Sequence, residues 1–192
     1  MSDVIVVGGG PAGLSAALFT AKNGLDTTLF DTDQTWLHKA HLFNYLGVGS
    51  VDGSAFLETA RTQVDAFGVD RRQEIEVIDL SSNGDGFEIQ TADESHAGSY
   101  VVLATGANRD LAEAAGATVD GNRVAVDVSM ETSVEDLYAT GAMVREEEWQ
   151  AIISAGDGAA AALNILSKER GKHFHDFDVP DDAAALFGDD SA

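Results

Sequence analysis

The chain opens on an apolar, β-branched run, Asp3 to Val7, followed at once by Gly8-Gly9-Gly10-Pro11-Ala12-Gly13 and then by the alanine-rich segment Leu14 to Lys22. This order predicts strand, tight turn and helix; Gly24 ends the helix, and Thr27 to Phe30 forms a second strand finishing in Asp31. From Thr32 to Gly53 no period is sustained. The segment carries Trp36, His38, His41, Phe43 and Tyr45 and reads as a long ordered loop with room for one helical turn. Ser54 is the expected cap of an amphipathic helix to about Phe67, with Phe56, Leu57, Ala60, Val64 and Phe67 on one face. Glu74 to Leu80 and Phe87 to Thr91, separated by Ser81 to Gly86, read as a hairpin, and Ser99 to Ala104 as a buried strand ending in Thr105-Gly106. Arg123 to Val126 and Asp136 to Thr140 are short strands, the latter ending in Gly141, and a last helix spans about Gln150 to Lys168. Small residues from Ala155 to Ala162 allow that helix a close backbone approach.

Gly8-x-Gly10-x-x-Gly13 lies after a strand and before a helix, the setting in which this spacing binds a dinucleotide. The first glycine makes the turn, the second admits a pyrophosphate to the backbone, and the third lets helix and strand pack. Helix N-terminal amides then hold the phosphates, and Pro11 suits the first helical turn. Asp31, at the end of the second strand, is placed to accept hydrogen bonds from an adenosine ribose. The fold class is α/β: a Rossmann-like domain with a parallel sheet and a small antiparallel β insert. It occupies residues 1–170 as one domain, and residues 171–192 form an acidic tail whose end is expected to be mobile.

The 192 residues are 44% hydrophobic and include two prolines, enough apolar material for one core and against the composition of a disordered chain. The longest apolar runs, Val4 to Val7 and Tyr100 to Ala104, fall far short of the roughly 20 residues that cross a bilayer. No membrane is expected as a partner. A glycine turn directly after the first strand leaves no signal peptide, so the expected location is cytoplasmic. There is no cysteine, which excludes disulfides, thiolate metal sites and any dithiol carried by this chain.

Thirty-three acidic against eleven basic residues give a net charge of −22, which excludes nucleic acid as an expected partner. The acids are scattered along the chain, and such a surface repels itself unless salt screens it. A halophilic origin is therefore expected. A net-negative protein holding an anionic cofactor must rely on backbone amides and helix dipoles. Lys39 is the only lysine or arginine between Asn23 and Arg61 and is a candidate contact for the cofactor.

With these residues in order, the chain resembles the thioredoxin-reductase-like branch of the FAD/NAD(P)-dependent pyridine nucleotide-disulfide oxidoreductases, specifically their FAD domain. The resemblance rests on Gly-Gly-Gly-Pro-Ala-Gly-Leu, Asn44-Tyr45-Leu46-Gly47, Val101 to Ala107 with its Ala-Thr-Gly-Ala, and Leu137-Tyr138-Ala139-Thr140-Gly141. It extends to Gln150-Ala151-Ile152 with Ser154-Ala155-Gly156-x-Gly158. It implies FAD as cofactor. The family's FAD contacts would fall on Gly8, Gly10, Pro11, Ala12, Gly13, Asp31, Asn44, Ile75, Ala104, Thr105, Gly106, Gly141, Gln150 and Ala151. Two positions depart from the family: Ala142 stands where relatives carry an aspartate, and Trp149 where many carry arginine. In full-length relatives a nicotinamide domain with a Cys-x-x-Cys is inserted between the Ala-Thr-Gly-Ala segment and the second FAD motif. Here only residues 107 to 137 separate the two, too few for a second βαβ domain.

The resemblance implies an oxidoreductase packed as a homodimer. It lacks its own nicotinamide domain and dithiol and takes electrons from external NAD(P)H or a redox partner protein. The alternative is a non-catalytic FAD-binding module, regulatory or a subunit of a complex. His38 and His41 are candidate proton donors or stacking groups, or loop histidines without a catalytic part. His173-x-His175 with Asp176 could ligate a metal or cover a partner subunit's site; a metal needs at least a third well-placed ligand, and none is expected.

Overall fold

The protein, here a computed structural model, is described over residues 1–82, 84–179 and 182. In chain order it forms β1 (Ser2–Val7), α1 (Pro11–Lys22), β2 (Thr27–Asp31), a 3-10 turn (Trp36–Lys39), β3 (His41–Leu42), β4 (Val51–Asp52), α2 (Gly53–Ala66), β5 (Asp70–Gln73) and β6 (Asp79–Ser82). Then come β7 (Phe87–Gln90), β8 (Ser95–Leu103), α3 (Asp110–Ala114), β9 (Val119–Asp120), β10 (Arg123–Val124), β11 (Leu137–Ala139), a second 3-10 turn (Gly141–Val144) and α4 (Ala151–Glu169).

One sheet runs in the order β5-β2-β1-β8-β7-β6, and β11 also pairs with β8. Strands β5, β2, β1, β8 and β11 are parallel, with Val6 opposite both Leu29 and Val102. β8 pairs with β1 along one edge and is shared by two strands on the other. Its first half, Ser95 to Gly98, pairs antiparallel with β7, while Val101 to Leu103 pair parallel with β11. The antiparallel insert is thus continuous with the parallel sheet through one nine-residue strand.

Side-chain alternation sends each central strand into two cores. Val4, Val6, Tyr100 and Val102 pack with Leu14, Ala17, Leu57, Ala161 and Ile165 on the side of α1, α2 and α4. Ile5, Val7, Val101 and Leu103 pack on the other face with Phe30, Leu80, Phe87, Ala112 and Met143. Burial on both faces explains why β1 reads as a continuous apolar run. A Cβ at Gly158 would lie 2.0 Å from the Ala12 carbonyl oxygen, so α4 meets α1 at a distance only glycine permits.

Several sequence expectations are corrected. Glu74 to Ile78 is not a strand: Glu74 takes a positive φ of 60°, ending β5, and the Ile75 N–H bonds the Asp31 carbonyl. The strand at this edge is instead the polar Asp70–Gln73. Asp52, rather than Ser54, caps α2, accepting from the Ser54 N–H at 3.0 Å. The expected loop of residues 32–53 contains the 3-10 turn and the β3–β4 ladder. The Arg123 strand is only two residues long, paired with β9.

The first part of the tail is docked. Lys22 binds Asp176 and Asp178 at 2.8 and 2.5 Å, and the Arg170 guanidinium lies 3.9 Å over the Phe174 ring. The expected mobile end of the tail lies outside the described residues. Among the described residues no helix is long and apolar enough to cross a membrane.

Candidate functional site

The glycine turn sits at the carboxyl ends of the parallel strands, where open α/β sheets bind ligands. Gly8 has φ +115°, and its N–H donates to the Phe30 carbonyl at 2.8 Å. A Cβ there would lie 2.2 Å from the Ala104 carbonyl oxygen, so β1 and β8 close on the turn. A Cβ at Gly13 would lie 1.8 Å from the Gly8 oxygen, the strand–helix contact expected of the third glycine. Gly10 differs: its nearest neighbour would be Thr35 Oγ1 at 3.4 Å, and the rest of that space opens into a cavity.

The cavity measures about 800 Å³ and extends along these strand ends. Gly8, Gly10, Pro11, Ala12, Asp31, Asn44, Ile75, Ala104, Thr105, Gly106, Gly141, Ala142, Gln150 and Ala151 all line it. Two predicted residues do not: Gly13 is packed behind the turn, and Lys39 is exposed outside the lining. Neither lysine nor arginine appears among the lining residues, whereas Asp31, Glu76 and Asp110 do. Positive potential therefore comes from helix ends. α1 and α4 both begin at the cavity with no side-chain cap, leaving their first-turn amides directed there.

Asp31 is buried, and a Cβ at Gly9 would collide with its carboxylate at 2.0 Å. Its oxygens accept from the Asp33 N–H at 2.9 Å, Arg61 Nη2 at 3.0 Å and Gln73 Nε2 at 3.2 Å. A carboxylate offers about four acceptor positions, and these three donors leave room for one more. Arg61 also grips Asp33, which binds His38 Nε2 at 2.7 Å. The Arg61 guanidinium, seconded by His38, holds the Asp33 carboxyl below the usual carboxylate range. His38 is thereby drawn into this ionic cluster, with its other nitrogen 2.9 Å from Ser54 Oγ, and it does not line the cavity. His41 does line it, its ring 4.6 Å from that of Phe43 with the planes inclined by 41°. His175 stacks on Phe177, and the described residues hold no group of three metal-ligating side chains.

Two contacts bridge the cavity from the loop to the start of α4. Asn44 Nδ2 donates to Gln150 Oε1 at 2.8 Å, and the Trp36 and Trp149 rings lie 5.4 Å apart with planes inclined by 49°. Sequence reading missed Arg61 and Thr35. Arg61 lies thirty residues from Asp31 on another element, and no local pattern marks it.

Residues 2–106 and 50–159 match the family described as pyridine nucleotide-disulphide oxidoreductase, and the chain belongs to that family. The thioredoxin reductase of Listeria monocytogenes is 30% identical over 120 residues, covering 59% of this chain and 36% of that protein. That of Treponema pallidum is 34% identical over 115 residues, covering 55% and 35%. The chain thus spans about a third of the length of these curated relatives. The atypical thioredoxin reductase TRi from Desulfovibrio vulgaris Hildenborough superposes with a TM-score of 0.83 at 17% identity, over 89% of this chain and 99% of that one. That likeness establishes the fold, a Rossmann-like α/β architecture.

Proposed function

We propose that the chain binds FAD in this cavity and serves as an oxidoreductase whose electrons come from outside its own fold. The supporting observation is the continuity of one cavity from Asp31, past the open space above Gly10, to the uncapped start of α4. An extended dinucleotide fits that shape, and the cradle at Gly8 and Gly9 leaves no room for side chains. The α1 amides would hold the pyrophosphate, the free acceptor of Asp31 the adenosine ribose, and Gln150 and Ala151 the ring end. When bound, the flavin supplies the two-electron chemistry. The protein's part is to bind and orient it, and to set a positive helix end beside it.

The chain contains no cysteine, so it carries no dithiol of its own, and residues 107–137 fold into α3 and the β9–β10 ladder. The reductant is therefore external NAD(P)H or a partner protein. A cytoplasmic, salt-rich setting and a homodimer complete this reading, with the net charge of −22 favouring the first. Ala142, a non-polar side chain in the cavity lining, favours a second reading: a flavin-holding module without turnover.

The test is an absorbance spectrum of protein purified in molar salt, followed by anaerobic NADH or NADPH. Yellow protein that bleaches supports the oxidoreductase, and yellow protein that stays oxidised supports a partner donor or the module. Colourless, folded protein rejects the flavin reading.

A further inference from the structure

Asp31 ends β2 at the cavity, and what holds its carboxylate comes from α2 and β5, which contribute nothing to the lining. The side chain is 4% exposed, and a carboxylate buried that far is costly unless it is paired and hydrogen-bonded. Arg61, on α2, supplies the pairing: its Nη2 donates to Asp31 Oδ2 at 3.0 Å and also reaches Asp33 Oδ1, so one nitrogen serves two acids. Gln73, the last residue of β5, donates to the same Oδ2 from Nε2 at 3.2 Å. Arg71 Nη1 occupies the Gln73 oxygen at 2.6 Å and so fixes the amide with its nitrogen toward Asp31.

The bonding is one-sided. Both side-chain donors converge on Oδ2, which also packs against Gly9, where a Cβ would lie 2.0 Å away. Oδ1 accepts the Asp33 N–H at 2.9 Å, so the acceptor position still open is on Oδ1. Arg61 is not placed for its own best pairing. Arg71 takes Asp65 through Nε and Nη2 at 2.9 and 2.7 Å, the two-pronged contact that favours an ion pair for itself, whereas Arg61 uses Nη2 alone and leaves its Nε buried without a partner. A donor left unsatisfied is a cost, and what it secures here is one fixed orientation of Asp31.

We propose that Arg61 is a positioning residue for the cofactor: from behind the cavity it holds the Asp31 carboxylate turned so that Oδ1 meets the 2′-hydroxyl of an adenosine ribose. This rests on the flavin reading above and deepens it, tracing recognition of the adenosine half to α2. Removing the guanidinium leaves two neighbouring carboxylates, Asp31 and Asp33, without the cation they share, and their repulsion frees the Asp31 side chain to turn. The loss then falls on the contact with the ribose hydroxyl, while the pyrophosphate and ring contacts keep their strength.

The experiment follows flavin fluorescence as the holoprotein is diluted in molar salt, with FAD and with its analogue lacking the adenosine 2′-hydroxyl exchanged into the same site. The parent is expected to hold FAD roughly tenfold more tightly than the analogue, the worth of one hydrogen bond to a charged group. In Arg61→Gln that ratio falls below about threefold through loss of FAD affinity, the analogue binding as before and circular dichroism unchanged. An unchanged ratio overturns the proposal, whether FAD affinity is kept or both ligands weaken together, the second being the pattern of a purely structural residue. A parent that binds the two ligands equally also overturns it. If Arg61→Gln fails to fold, Arg61→Lys carries the comparison, since it keeps the charge and shortens the reach: a ratio at least halved supports the proposal and the parent ratio overturns it. Protein that purifies colourless refutes the flavin reading and is titrated by calorimetry with ADP and 2′-deoxy-ADP instead. A preference for ADP that Arg61→Gln abolishes leaves Arg61 in its role, whereas a preference it leaves intact, or no binding of either nucleotide, overturns this proposal as well.

Discussion

Gly10 and Gly13 look alike in the sequence and are opposites in space. A side chain at Gly13 would enter the Gly8 carbonyl, while one at Gly10 meets only Thr35 at ordinary contact distance, with φ −82° that any residue adopts. Gly10→Asp is therefore expected to fold with an unchanged melting temperature but to purify without flavin, because the new carboxylate stands where a pyrophosphate would lie. Gly13→Val should fail to give soluble folded protein, as circular dichroism would show. Asp33 supports a pH prediction. The Arg61 guanidinium, then His38, hold its carboxyl low in the native state, with burial opposing, so the unfolded chain takes up the proton first as pH falls. The pair's stabilisation is complete above the ordinary carboxylate value, about pH 4, and is lost below it. Denaturant midpoints between about pH 5 and 3 should thus fall less steeply in Asp33→Asn than in the parent. Asparagine tolerates the positive φ of 58° at this position.

At the scale of elements, the parallel strands, α1, α2 and α4 were legible because burial imposes a period on their sequence. β5 was not. It is an edge strand of sequence Asp-Arg-Arg-Gln whose place depends on backbone bonds to β2, and its apolar neighbours Ile75 and Val77 gave the strand pattern instead. The site was legible where it depends on glycines and on acids at strand ends. It was illegible where distant elements meet, as in the Arg61 grip on Asp31 and the Asn44–Gln150 bridge. The turn after β11 is fixed to α4 by Arg145, whose Nη2 and Nε reach the buried Asp157 at 2.5 and 3.2 Å. Asp157→Ala leaves that guanidinium without its partner and should cost about 1–3 kcal/mol. A thermal melt would register about 2–4 °C for each kcal/mol in a chain of this size.

For the whole molecule, the balance of 33 acids and 11 bases dominates. The Debye length shrinks to about 3 Å at 1 M salt, removing most repulsion between surface carboxylates. The melting temperature is expected to climb with potassium chloride into the molar range, and a plateau below about 0.3 M would contradict a halophilic design. The same pattern of charge was plain in the sequence, since it needs no fold to be read. The cradle is a different matter: Gly8 is closed by Ala104, and Ala12 is met by Gly158, so a turn begun in the first dozen residues is finished by the last helix. At ribosomal speeds of about 5–20 residues per second, the nascent turn waits roughly 10–30 s for its other walls. On the flavin reading, cofactor capture then waits until α4 has emerged, and a nascent chain stalled before α4 should hold no flavin.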